Sequence, residues 1–286
     1  MLQEIGNHTF HNEYKDTLPS PEDYILVFRT VGKENEVLVA MVEEDSKEAV
    51  TLPTFLEFND TGKENAFQYL FSIDERNFFL GASHLYPTTP RHTYSFHSVR
   101  VFRNNHPGHL CFAGSTAYHL YCWYRDNKFC GRCGAPLLPA GKMRALQCNC
   151  CGNLLFPRIA PAVIIGLRKN DSLMLSRYAN RPYKGRALLA GFCEIGETPE
   201  QTVKREVFEE VGLHATNITY YGSQPWGFDS NLLLGYFADV EGDTDITLDE
   251  EELESAGFVK REDITYEPNL MSLTATMIEE FRLGNY

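Results

Sequence analysis

Residues 191–213 read GFCEIGETPEQTVKREVFEEVGL, and this stretch decides the fold of the second half of the chain. Thr198 is a natural N-cap, Pro199 suits the first helical turn, and Gln201 completes a capping box with Thr198, so a helix is predicted to begin here. Gly212 predicts its end. Val203, Val207 and Val211 recur every four residues and form a stripe for a core to cover. Glu206, Glu209 and Glu210 stand at i, i+3 and i+4, so their carboxylates share one face beside that stripe. On a solvated helix such repulsion costs about 0.2–0.5 kcal/mol per pair and needs no explanation. Here the cluster follows a Gly-rich loop carrying Glu194 and Glu197, with Arg205 in the helix as a partner for one of them. Hard divalent cations, Mg²⁺ or Mn²⁺, are its natural neutraliser, because they prefer carboxylate and water oxygens and are shared with substrate phosphates.

Around this helix the sequence has an alternating texture. Ala162 to Leu167, Ser172 to Ser176, Ile218 to Gly222, Leu232 to Val240 and Ala256 to Lys260 predict strands, and Thr274 to Arg282 predicts a closing helix. The expected class for residues 156–286 is α+β or α/β. Residues 1–125 carry short β-branched and aromatic runs, Tyr24 to Thr30 and Glu36 to Val42, with a turn at Asn59-Asp60-Thr61-Gly62, and predict a mixed β-rich domain. No motif in it carries chemistry. Ser115 to Lys128 predicts a helix whose aromatics Tyr118, Tyr121, Trp123 and Tyr124 form a core or interface stripe.

Between these domains, Cys130-Gly131-Arg132-Cys133-Gly134 and Cys148-Asn149-Cys150-Cys151-Gly152 form two C-x2-C knuckles. Each two-residue gap lets a tight turn aim both sulfurs at one Zn²⁺. Choosing Cys148 with Cys151, and leaving Cys150 out, gives both knuckles the same C-x2-C-G form. A disulfide pair does not suit a cytoplasmic protein, and a redox pair lacks a thioredoxin-like setting. With four thiolates no position is left open, so the expected zinc is structural, one per chain, in a ribbon over residues 126–155.

Length and composition bound the rest. At ~100–200 residues per domain, 286 residues hold about two domains. The 43% hydrophobic and 23% charged content excludes a disordered, coiled-coil or collagen chain. The longest apolar run falls far short of the ~18 residues of a membrane span, and the first residues lack signal-peptide form, so the expected address is the cytoplasm, without a membrane partner. The net charge of −13 argues against nonspecific nucleic-acid binding. It divides into −6 over residues 1–129, +3 over the acid-free 130–155, and −10 over 156–286.

The segment 191–213 has the form G-x5-E-x7-R-E-U-x-E-E-x-G-U, with U apolar, and resembles the Nudix box at Gly191, Glu197, Arg205, Glu206, Val207, Glu209, Glu210, Gly212 and Leu213. Downstream, Ser223-Gln224-Pro225-Trp226 is similar to the S-Q-P-W-P-F-P-x-S motif of NADH pyrophosphatases, the Nudix branch with a four-Cys ribbon before its catalytic domain. Gly227 and Asp229 stand where the family has proline, and Asn231 where it has its last serine. Losing two prolines gives the loop greater backbone freedom. The resemblance implies a Nudix fold, a mixed sheet sandwiched by helices, and cleavage of NADH or NAD⁺ to NMNH or NMN and AMP. It implies metal ligands at Glu206, Glu209 and Glu210, with Glu252, or its neighbour Glu251 in a shifted register, as a further ligand or proton acceptor. Glu197 and Arg205 would pair to hold loop against helix. Phe192 and Phe156 would bound the substrate site, with plain core as the alternative for each; Gln224, Trp226 and Asn231 complete the implied substrate contacts, with a structural role as the alternative for Trp226. Arg177, Arg181, Lys184 and Arg186 form a short basic run before the box, either steering an anionic substrate or merely solvated. A homodimer is implied as well. The rival readings are removal of the NAD cap from RNA 5′ ends, a broader hydrolase that takes ADP-ribose, and a noncatalytic nucleotide sensor.

Overall fold

The computed structural model describes every residue except 45, 59–66, 180–184, 243–244 and 266–270. The turn expected at Asn59 to Gly62 and the bases Arg181 and Lys184 lie outside the described residues. Two compact units emerge, one of residues 2–158 with 226–230, the other of residue 1, 159–225 and 231–286.

The first unit contains strands β1 (Phe10–His11), β2 (Tyr24–Val31), β3 (Glu34–Glu44), β4 (Lys47–Thr51), β5 (Phe67–Ile73), β6 (Arg76–Gly81) and β7 (Ser95–Ser98). They form one sheet in the order β1-β5-β6-β2-β3-β4, with β7 added to β3. Ile25, Leu26, Val27 and Phe28 of β2 are all buried, as a strand covered on both faces requires. Ile25 and Val27 pack with Leu38, Ala40 and Phe79, while helix α1 (Gly108–Asp126) lies on β2, β5 and β6.

Helix α1 begins seven residues ahead of the expected Ser115. Gly108 and Gly114 hide it, since each lowers helix propensity by about 1 kcal/mol relative to Ala. Packing overrides that cost: Leu110, Cys111, Phe112 and Ala113 are buried, and a Cβ on Gly114 would stand 2.4 Å from the Phe102 ring. The aromatic stripe divides, with Tyr118 and Trp123 buried and Tyr121 and Tyr124 half-buried. Trp123 packs with Leu137 and Leu146 around Cys130 and Cys148, where strands β8 (Leu137–Pro139), β9 (Leu146–Cys148) and β10 (Leu154–Leu155) pair antiparallel.

The second unit is built on β11 (Ala160–Lys169), β12 (Ser172–Tyr178), β13 (Leu189–Phe192), β14 (His214–Trp226), β15 (Asn231–Glu241) and β16 (Leu253–Lys260). Their order is β14-β15-β11-β12-β16, with β13 paired to β11. The parallel β11–β15 pair, in register from Ala160↔Asn231 to Arg168↔Asp239, makes the sheet mixed. Side chains alternate across β11. Val163, Ile165 and Leu167 meet the valine stripe of helix α2 (Pro199–Val211). Gly166 on the other face lies 3.5 Å from Met277 of helix α3 (Leu273–Arg282), measured from an ideal Cβ, and Gly235 of β15 lies closer still. The sheet is thus sandwiched by helices, as the family resemblance implies. No helix is long and apolar enough to cross a membrane among the described residues.

Candidate functional site

Helix α2 starts and stops where its local chemistry dictates. Gln201 N donates to Thr198 Oγ1 at 3.3 Å, Thr198 N donates to Gln201 Oε1 at 2.8 Å, and Gly212 takes the left-handed conformation at φ 71°. Val203, Val207 and Val211 are fully buried, which contributes about 1.5–3 kcal/mol each and fixes the rotation of the helix about its axis. The glutamates are thereby committed to the adjoining face.

Arg205 organises that face. Its Nε donates to Glu197 Oε1 at 2.7 Å and its Nη2 to Glu197 Oε2 at 3.0 Å, the bidentate fork that fastens the loop to the helix. Nη2 also reaches the Phe192 carbonyl at 2.9 Å. Nη1 bridges Glu206 Oε1 at 2.7 Å and Glu209 Oε2 at 2.8 Å. The Arg205 guanidinium, helped by the Glu194 amide and the Thr202 hydroxyl, holds the Glu197 carboxyl down at about 2. Thr202 is fully buried and donates to Glu197 Oε2 at 2.9 Å, a support the sequence reading missed. Its signal was a hydroxyl one helical turn past the cap, in a position facing the loop.

Glu206 and Glu210 are the buried members of the cluster, and burial pushes the Glu206 carboxyl above the ordinary range against the pull of Arg205; the charges of Glu209 and Glu252 push the same way. Glu252 therefore acts on Glu206. The acidic segment reaches α2 through main-chain bonds, Thr247 N to Val211 O and Asp249 N to Glu210 O, both at 3.0 Å. Glu210 is buried and Glu209 is exposed on the same face. The first glycine of the box has a steric reason: an ideal Cβ on Gly191 would stand 1.9 Å from the Glu206 carboxyl carbon. The empty volume at residue 191 is the cradle of Glu206. Gly191→Ala is expected to displace that carboxylate and weaken Mn²⁺ binding by about tenfold or more, as read by electron paramagnetic resonance, on the scale of losing the support of a metal ligand. Unchanged Mn²⁺ affinity would show that the cradle is irrelevant to metal.

Among the described residues, the one group bringing three or more ligand atoms within 4.8 Å of one another is Cys130, Cys133, Cys148 and Cys151. Cys130 Sγ to Cys151 Sγ is 3.7 Å and Cys133 Sγ to Cys148 Sγ is 3.5 Å, close to the edges of a tetrahedron with ~2.3 Å metal–sulfur bonds. Cys150 is outside the group and exposed. The amide of Arg132 draws the Cys130 thiol down to about 6. The Ala135 amide favours the Cys133 thiolate, yet the Cys148 and Cys151 sulfurs drive it up to about 12. Four thiolates cannot gather here without a cation, and the donor set fits a soft divalent metal.

Phe192 is 54% exposed and Phe156 56% exposed, so neither is core in its unit. Gln224 is fully buried; its Nε2 donates to Met271 O at 2.8 Å and its Oε1 accepts from Leu273 N at 2.7 Å, anchoring the start of α3. Asn231 is nearly buried at the start of β15, and its Oδ1 accepts no hydrogen bond from the described residues. Trp226 is half-buried in the first unit, in the wall of a cleft of about 260 Å³ that also presents Lys33, Arg100, Arg103, Tyr118 and Phe228. That cleft, in which three bases share the lining with Glu34 and Asp229, was not legible in sequence, because its residues come from four separated segments, 33–35, 98–103, 118 and 226–229. Of the basic run before the box, Arg177 is exposed and Arg186 half-buried.

A capped helix carrying Arg-bridged glutamates over a mixed sheet, behind a loop that excludes a side chain at 191, defines a Nudix hydrolase. The NUDIX domain model matches residues 157–281. The chain is 36% identical over 183 residues to the NAD-capped RNA hydrolase NudC of Klebsiella pneumoniae (strain 342), covering 64% of this chain and 70% of that protein. The NAD-capped RNA hydrolase NudC of Enterobacter sp. (strain 638) is 38% identical with the same coverage. A crystal structure of a NUDIX hydrolase from Nitrosomonas europaea superimposes with a TM-score of 0.44 at 19% identity, over 54% of this chain and 90% of that one. The chain belongs to the Nudix hydrolases, and within them to the NADH pyrophosphatase family. Nudix hydrolases use divalent metals. Among the described residues no three of the Glu206, Glu209, Glu210 and Glu252 carboxylates come within 4.8 Å of one another as the cysteines do, and Arg205 holds its positive charge between Glu206 and Glu209.

Proposed function

We propose that this chain hydrolyses the pyrophosphate bond of NADH or NAD⁺, giving NMNH or NMN and AMP. The observation that carries the reading is the glutamate face of α2, with Glu206 set in the Gly191 cradle and Arg205 spanning Glu197, Glu206 and Glu209. Glu206, Glu209 and Glu210, with Glu252, would hold Mg²⁺ or Mn²⁺. When bound, the metal supplies positive charge against the pyrophosphate oxygens and Lewis acidity towards water. Water attacks one phosphorus in line with the leaving phosphate oxygen, the P–O bond opposite breaks, and a carboxylate of the cluster takes the proton from water. The push of the Glu252 charge on Glu206 supports Glu252 in that role or as a further ligand. Arg205 and Glu197 keep the loop on the helix, so the carboxylates are in place before substrate arrives.

Phe192 offers an exposed ring directly after the box glycine, suited to stacking on a nucleotide base. Phe156 and Trp226 offer further aromatic faces; Asn231 brings a buried acceptor, and Gln224 contributes by fixing the segment between β14 and α3. The cysteine quartet takes one structural Zn²⁺ per chain, in a ribbon of residues 126–155 between a 1–125 domain and a 156–286 catalytic domain. We place the protein in the cytoplasm as a homodimer, a state supported by the exposed apolar side chains of Ile159, Phe192 and Ile195.

A second reading, removal of the NAD cap from RNA, is favoured by similarity to the NAD-capped RNA hydrolases NudC and uses the same bond cleavage. Comparing kcat/KM for NADH, NAD⁺, ADP-ribose and NAD-capped RNA, each with Mg²⁺ and with Mn²⁺, separates the readings. A kcat/KM highest for NADH or NAD⁺ supports the first; a capped RNA far ahead supports the second; ADP-ribose cleaved as well as the dinucleotides marks a broader hydrolase. Nucleotide binding without any cleavage would leave a sensor and remove the enzyme reading.

A further inference from the structure

The turn after β14 departs from the family motif at Gly227 and Asp229, both proline in the motif. Prolines would stiffen such a turn by fixing φ. Two different contacts hold it here. Gly227 is buried against α1, where an ideal Cβ would stand 2.1 Å from the Ser115 carbonyl oxygen and 2.8 Å from its hydroxyl. That carbonyl belongs to the interior of a helix and cannot step aside. Any side chain at 227, a proline ring included, lifts the turn off the helix. Two residues on, Asp229 Oδ2 accepts a hydrogen bond from Trp226 Nε1 at 2.9 Å. The indole is further set by the Phe228 ring, edge-on at 5.0 Å, and by the Arg103 guanidinium 5.1 Å above it. Main-chain bonds from Asp229 N to Trp226 O and from Ser230 N to Gly227 O close the turn at 3.4 Å each.

We propose that Gly227 and Asp229 are the positioning residues of this turn, replacing the two prolines with a helix contact and an indole hydrogen bond, and that through Trp226 they set the affinity for the dinucleotide. The proposal rests on the reading of Trp226 as a substrate contact. It has a counterintuitive consequence: restoring the family prolines impairs this protein, because the turn has been re-fastened by contacts that proline cannot make.

The test uses the full chain with ¹⁵N-labelled tryptophan. Its two tryptophans give two indole signals, and Trp226→Phe assigns one of them. Asp229→Ala and Asp229→Pro are expected to move the Trp226 indole signal towards that of a free indole. They should raise KM for NADH roughly two- to tenfold, the scale of one lost hydrogen bond, with kcat held within about twofold. Asp229→Asn keeps an acceptor and is expected to retain both the signal and KM. Gly227→Pro should move the signal and raise KM at least as far. An unmoved indole in Asp229→Ala, a moved indole with unchanged KM, or a Gly227→Pro variant matching the parent in both would overturn the proposal. If the parent does not cleave NADH, the functional reading falls, and the indole signals alone decide whether Gly227 and Asp229 hold Trp226.

Discussion

Glu209→Gln is expected to lower kcat/KM for NADH by roughly a hundredfold or more, the loss of one charged oxygen from a metal cluster that carries several kcal/mol of charge stabilisation. Glu209 is the cleanest of the cluster to change, because its side chain is 55% exposed and packs into no core. Its fold contribution is one bond from Arg205, and Arg205 keeps four further contacts, on Glu197, Glu206 and the Phe192 carbonyl. Thermal stability should therefore stay close to that of the parent while turnover collapses and Mn²⁺ affinity falls. Stability and activity lost together would mean that the variant reports on folding. Full activity in a well-folded Glu209→Gln chain would remove Glu209 from the site. The same measurement on Glu206→Gln should give a loss at least as large, because Glu206 is the buried carboxylate in the Gly191 cradle.

Cys148→Ala is expected to abolish zinc binding and to unfold the ribbon. Cys148 is fully buried among Trp123, Leu137 and Leu146, which with Tyr124, Ala135 and Leu155 packed against them form only a small apolar core. Structural zinc supplies about 10–16 kcal/mol in finger-sized peptides, far more than so small a core can replace. Metal analysis should fall from one zinc per chain to none, and the amides of residues 130–155 should lose protection against hydrogen exchange. Trp123 fluorescence should move with them, since its ring packs on the same cluster. Cys150→Ala is the control and should keep its zinc, because Cys150 stands outside the sulfur group. A Cys148→Ala chain that retains one zinc and a protected ribbon would show that the quartet is misassigned.

The parts that were legible in sequence are those fixed by short-range chemistry. The bounds of α2 follow from Thr198, Pro199, Gln201 and Gly212, all within the helix or one residue of it, and the helix runs as expected. The pairing of Cys148 with Cys151 follows from the glycines after each knuckle, and the sulfurs gather accordingly. What stayed hidden depends on residues far apart in the chain. The first turns of α1 were missed because Gly114 looks like a helix weakness until Phe102 is seen against it. β14 is 13 residues long where five were expected, because as the edge of its sheet it leaves His214, Asn217, Thr219 and Tyr220 exposed and loses a clean alternation. Gly191 was visible as a motif letter, but its reason, the Glu206 carboxylate, lies fifteen positions on. The loss of two prolines suggested a looser loop; Ser115, more than a hundred residues upstream, and the Trp226–Asp229 bond supply the restraint instead.

The most direct measurement is the product analysis of NADH incubated with the purified chain and Mg²⁺ or Mn²⁺ in ¹⁸O-labelled water. Cleavage of the pyrophosphate bond yields AMP and NMNH, with the label on one phosphate and none on the ribose or nicotinamide. Intact NADH under both metals, or free nicotinamide with ADP-ribose in place of AMP, would contradict pyrophosphate hydrolysis at this glutamate face.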